Sequence, residues 1–163
     1  MNVRRRLAPA VLLLAAAGLS GCDVNFDAQT DQVYNPGVGV NEQSGSVDVL
    51  NALVVSGTEG SGTVVATLVN NDEVTADALQ GIAGAEEDAS LKVTPGGPTA
   101  IPNGGVLNLA EAGRNFVQGE QVVPGDLVTL TFTFQRGEAI TVDAPVVDTA
   151  GSTYAGVTLP PPS

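Results

Sequence analysis

The chain has no histidine, no tryptophan, one cysteine and one methionine in 163 residues. Each absence removes a kind of chemistry. Without histidine there is no Ser-His-Asp or Cys-His triad, because no imidazole is present to take the nucleophile's proton. Lysine is nearly absent too: Lys92 stands alone, so a Ser–Lys dyad has a single residue to draw on. No G-x-S-x-G elbow and no S-x-x-K motif occurs. There is no Walker A loop and no G-x-G-x-x-G phosphate cradle. Aromatic residues are few (Phe26, Tyr34, Phe116, Phe132, Phe134 and Tyr154), which leaves little to stack on a sugar. No enzyme and no cofactor is expected from this inventory.

What is present begins with Arg4, Arg5 and Arg6, followed by an uncharged run from Leu7 to Leu19. The run is shorter than the ~20 apolar residues that cross a bilayer comfortably. A basic start and a short apolar stretch read as a secretory signal. It closes on Leu19-Ser20-Gly21-Cys22, the pattern of a bacterial lipobox. Leu19, Ser20 and Gly21 form the expected cleavage motif, and Cys22 is the expected lipid attachment site. A lone cysteine in an exported chain has no disulfide partner, and lipidation accounts for it. The expected location is therefore the extracytoplasmic side of a cell membrane, held there by the Cys22 lipid.

Loss of residues 1–21 removes half of the cations. Lys92, Arg114 and Arg136 then face all 18 acids, a formal charge of −15. Such a surface repels nucleic acid, whose phosphates require clustered lysine and arginine. It also repels anionic headgroups, so the domain stands off the bilayer. Adjacent acids such as Asp72/Glu73 and Glu86/Glu87 are expected to be solvated. The cluster Glu86-Glu87-Asp88 is a candidate for a hard cation, although no D-x-D-x-D-G loop accompanies it.

Residues 22–46 are polar and read as a lipid-anchored flexible tether. Residues 149–163 end in Leu159-Pro160-Pro161-Pro162-Ser163 and read as a disordered, proline-rich tail. The domain is expected over 47–148. Strands are expected at Val47–Val55, Thr63–Val69, Ala76–Ala83, Ser90–Thr94, Val106–Leu109, Asp126–Gln135 and Ala139–Val147. A loop is expected at Gly57–Gly62, and a single helical turn at Ala110–Arg114. The clearest period of two places Val128, Leu130, Phe132 and Phe134 on one face. Short strands separated by Gly and Pro indicate an all-β fold, an antiparallel Greek-key β-sandwich.

Three segments carry a resemblance: 100–109, AIPNGGVLNL; 123–134, VPGDLVTLTFTF; and 137–146, GEAITVDAPV. Together with Val69-Asn70-Asn71 and Asp77-Ala78-Leu79-Gln80-Gly81 they resemble the PCu(A)C family of periplasmic copper chaperones, over roughly residues 47–147. The lipobox and tether make the chain similar to the LpqE-like lipoproteins of actinobacteria. The resemblance implies a cupredoxin-like sandwich. It also implies two ligand pairs of histidine and methionine for copper(I), soft and imidazole donors suited to that ion. The positions that match them are Lys92 and Thr94 in one pair and Asn115 and Val117 in the other. None of the four is a copper(I) ligand, and the only methionine is Met1.

The expected function is thus a non-catalytic cell-envelope lipoprotein. It is a copper-chaperone-like scaffold without metal ligands that binds an envelope protein or a cell-wall component. Arg114 and Phe116, a cation and an aromatic in an acidic protein, mark the expected partner patch. The alternative is accessory metal handling, whether copper-chaperone-like or of a hard cation.

Overall fold

In the computed structural model, residues 38–94, 96–112, 115–149, 154 and 156–161 are described. They belong to a folded unit spanning Pro36–Ser163. The signal and lipobox residues Leu19, Ser20, Gly21 and Cys22 lie outside the described residues, as does Arg114.

The frame is a hairpin of two long strands, β2 (Val47–Thr58) and β3 (Ser61–Asn70). A short strand, β1 (Val40–Glu42), precedes it and pairs antiparallel with β2. The connection from β2 to β3 is tighter than the expected loop at Gly57–Gly62. Thr58 pairs with Ser61, so only Glu59 and Gly60 turn, with Gly60 at φ 82°. Two-residue hairpin turns need positive φ, which glycine supplies. Gly62 is glycine for another reason: a Cβ there would meet Val54 Cγ1 at 2.6 Å. It belongs to the strand, where its bareness lets two side chains close over it.

The chain beyond the hairpin supplies β4 (Asp77–Gly84), β5 (Lys92–Thr94), β6 (Thr99–Ile101) and β7 (Val106–Asn108). One helical turn, α1 (Leu109–Ala112), leads to β8 (Phe116–Gln118), β9 (Leu127–Phe134) and β10 (Ile140–Asp148). The strand order is β5-β8-β3-β2-β10-β9-β4-β6, with β1 on β2 and β7 on β3. Among the described residues, all pairs are antiparallel except one. Strand β10 pairs antiparallel with β9 from Ile140 to Pro145, then runs parallel to β2 from Val146 to Asp148. Pro145 has no N–H to donate and stands where β10 takes up its second neighbour. Through this strand the sheet curls over one core, the expected cupredoxin-like β-sandwich.

Val128, Leu130, Phe132 and Phe134 are all buried in that core, as their spacing predicts. Val49, Val54, Val64 and Leu68 meet them from β2 and β3. Each such side chain contributes about 1.5–3 kcal/mol when fully buried.

The folded unit is wider than the 47–148 expected from composition. At its start, Asn51 adopts φ 51° within an irregularity of β2. Its side-chain oxygen accepts the Gly39 N–H at 3.1 Å, and its own N–H donates to Asn41 Oδ1 at 2.6 Å. Asparagine tolerates this left-handed conformation, and the irregularity gives β1 its anchor. At the other end, Val157 and Leu159 pack on Leu53, Val55 and Val65, so this part of the tail is folded rather than disordered. Thr63 Oγ1 donates to the Thr158 carbonyl at 2.7 Å.

Candidate functional site

The four positions that the resemblance sets against copper ligands lie on the edge strand β5, on its neighbour β8 and just before β8. Strands β5 and β8 pair antiparallel, with Lys92 opposite Gln118, Val93 opposite Val117 and Thr94 opposite Phe116. Opposed residues in such a pair share a face, and successive residues alternate. Lys92 and Thr94 therefore point outward, and both are exposed. Val117 points inward and is fully buried, and Asn115 is buried as well. The strands come together, but the four side chains divide between opposite faces and do not converge on a point.

The two inward positions are already occupied by structural work. Asn115 Oδ1 accepts the Gly96 N–H at 3.1 Å, tying the chain after β5 to the start of β8. The Asn115 carbonyl accepts the Val64 N–H at 2.9 Å, which sets the register of β8 on β3. Val117 belongs to the main core. Among the described residues, no group of three or more His, Cys, Asp or Glu is placed to hold a metal ion.

The acidic turn Glu86–Asp88, the hard-cation candidate, folds as a short 3-10 helix. Asp88 is 4% exposed, and its carboxylate accepts the Thr129 N–H at 2.8 Å. A Cβ on Gly84 would collide with the Asp88 carbonyl, so glycine is needed where the turn folds back on β4. Asp88 borders an open depression of about 570 Å³ with Glu87, Gln121, Asp126 and Leu127. The three carboxylates do not form a cation cage there, because Asp88 is directed at the backbone of β9.

Phe116 takes the outward face of β8. It is half-buried and packs in neither hydrophobic cluster. It stands opposite Thr63 of β3 on one side and Thr94 of β5 on the other.

A second set of polar residues was not singled out by chemistry in the sequence. Asn70 ends β3 and is 2% exposed. Its amide donates to the Thr75 carbonyl at 2.8 Å and to the Pro102 carbonyl at 3.2 Å, while its Oδ1 accepts the Asp72 N–H at 3.0 Å. Asp77 opens β4 and is 6% exposed. It accepts the N–H groups of Ala78, Arg136 and Gly137 at 2.7, 3.0 and 2.9 Å, clasping the β9–β10 turn. Between them, Asp72 accepts the Val74 and Thr75 N–H groups at 2.8 and 3.0 Å. These backbone bonds, the Val74 one foremost, hold the Asp72 carboxyl below its ordinary value of 3.8, with a smaller contribution from Arg136. The signal available for this set was the resemblance itself, since Asn70 and Asp77 both fall in the quoted segments.

The strand order and the curled sheet define the class: a cupredoxin-like β-sandwich. Three solved structures show the same fold. The chain is similar to the copper-bound PCuAC domain from PmoF2, with a TM-score of 0.54 at 15% identity over 67% of this chain and 98% of that one. It is similar to the apo PCuAC domain from PmoF1, with a TM-score of 0.55 at 17% identity over 67% of this chain and 99% of that one. The apo PmoF2 PCuAC domain gives a TM-score of 0.53 at 15% identity over 68% and 97%. No family model matches the sequence, and no curated protein matches it.

Proposed function

We propose that this chain is a non-catalytic lipoprotein of the cell envelope, with a PCuAC-type sandwich that has given up its metal site and binds a protein or cell-wall partner. The observation that carries this reading is the fate of the four ligand positions. Two are buried in roles that hold the sandwich together, two are exposed on the other face, and none has a copper(I) donor. A sequence without histidine supplies no replacement nearby. The accessory metal-handling alternative has less behind it, because the most acidic turn directs Asp88 into a backbone bond. In this reading Cys22 carries the lipid, the domain sits outside the membrane as in the LpqE-like lipoproteins, and Arg114 with Phe116 begins the contact surface.

The test is crosslinking in the native envelope. A photoactivatable residue at Arg114 or Phe116 should capture one dominant partner, and the same probe at Val74, 88% exposed, should not. Equal capture from all three positions counts against the reading. Cys22→Ala should release the protein from the membrane fraction; unchanged retention removes the lipid anchor from the account.

A further inference from the structure

The outer face of β2 and β3 is apolar in a protein that is otherwise acidic. Leu53 of β2 stands opposite Val65 of β3, and Val55 stands opposite Thr63. These side chains turn away from the main core and form a separate cluster with Val157 and Leu159 of the C-terminal segment. Two features make this a fitted site rather than a chance contact. Thr63, 2% exposed, donates its hydroxyl to the Thr158 carbonyl at 2.7 Å. Gly57 leaves the space that Leu159 fills, since a Cβ on residue 57 would collide with Leu159 Cδ1. Aliphatic pockets plus one directed bond to the main chain are how proteins bind extended peptides.

The face does not end at the segment that covers it. Register carries the row from Val55 to Thr63, from Thr63 to Phe116, and from Phe116 to Thr94. Phe116 therefore lies in the same cross-strand row as the docked segment and is only half covered.

We propose that this outer face is a docking surface for an uncharged aliphatic peptide, and that the chain's own segment Val157-Thr158-Leu159 occupies it in cis. The ligand chemistry is read from the segment in place: two aliphatic side chains, a carbonyl offered to Thr63, and no charge. This deepens the partner-binding reading and rests on it for biological meaning, but its test is separate. Peptide binding can fail while crosslinks at Arg114 succeed.

The probe is a fluorescent synthetic peptide of residues 154–163, added to the purified full chain. In the wild type the tethered segment is at high local concentration, and only a small open fraction is free to bind. Leu159→Asp places a charge in the apolar pocket and should release the segment. The peptide should then bind about tenfold or more tightly than to the wild type, the factor set by the open fraction. Adding Gly57→Ala to Leu159→Asp should weaken that binding severalfold, because the methyl group takes space that the tip of the Leu159 side chain fills. A Leu159→Asp chain with unchanged circular dichroism that ignores the peptide overturns the proposal, as does binding that Gly57→Ala leaves intact. If both Leu159→Asp and a chain ending at Thr149 fail to fold, the segment is an obligatory part of the sandwich and the proposal is also overturned.

Discussion

Strand β3 has two kinds of neighbour along its length. Its second half pairs with β7 and ends in Asn70, beside Asp72 and Asp77. There the buried side chains of Asn70 and Asp77 are both engaged with backbone from another loop. Its first half pairs with β8, which in turn pairs with β5, and the four ligand-matching positions lie there. Both regions sit on the same scaffold and both fall within the resemblance to the copper chaperones. One keeps the residue types the resemblance calls for, and the other has none of the donors. The residues that build a fold and those that give it chemistry are separable, because they satisfy different partners. Asn70 and Asp77 answer to backbone N–H and C=O groups of this sandwich that must find partners when covered. In the proposed reading the ligand-matching positions no longer answer to an ion and are free to take on packing.

That contrast can be broken from either side. Asp77→Ala should have the largest effect. It strips three half-covered N–H groups of their charged acceptor and should cost about 3 kcal/mol, read as a lower urea midpoint, given about 1.5–3 kcal/mol for a hydrogen bond to a charged group with partial rescue by water. Asn70→Ala removes an amide that joins two loops and should cost about 2–3 kcal/mol by the same measurement. A loss below about half a kcal/mol for either would mean these bonds are not what holds that end together.

Restoring donors at the other region is the converse experiment. Asn115→His with Val117→Met should give no copper(I) site, because Lys92 and Thr94 face the opposite side. It should cost about 1–3 kcal/mol, from overpacking at Val117 and the lost acceptor for Gly96 N–H. Copper(I) bound tightly by that double variant would show that the faces can rearrange to meet an ion.

The smallest effect is at Asp72. Its folded carboxyl titrates below its unfolded value, so it favours the folded state above the ordinary 3.8 and loses that contribution as pH falls through the lowered value. Asp72→Asn should therefore be less stable than the wild type at neutral pH and equal to it once both are uncharged. A difference that stays constant across that range would remove the charge from the explanation.

Much of the fold was legible from residue pattern. Strand β9 buries Val128, Leu130, Phe132 and Phe134 on one face, as the period of two requires, and departs from it only at Thr129, which is buried where it bonds to Asp88 and Asp143. What was missed has identifiable causes. Strands β1, β6 and β8 have three residues each, too few for any periodicity to register. The run Ala52-Leu53-Val54-Val55 does not alternate; continuous apolar runs signal burial on both faces, and both faces of β2 are indeed covered there. That signal predicts a cover for the outer face but does not say that it comes from residues 157 and 159, which stand among prolines and carry too little apolar surface to mark a fold element alone. The ligand positions were legible through the resemblance. Which way each one points was not, because that depends on the register of β8, set by a backbone bond between Val64 and Asn115.

The loss of the metal site is the central claim. The measurement that tests it is a titration of the purified domain with copper(I) against a competing chelator. The chelator should keep the copper at every ratio, and thermal unfolding should not shift with the metal. Stoichiometric binding at submicromolar affinity would contradict the claim and return the chain to the metal-carrying proteins whose fold it shares.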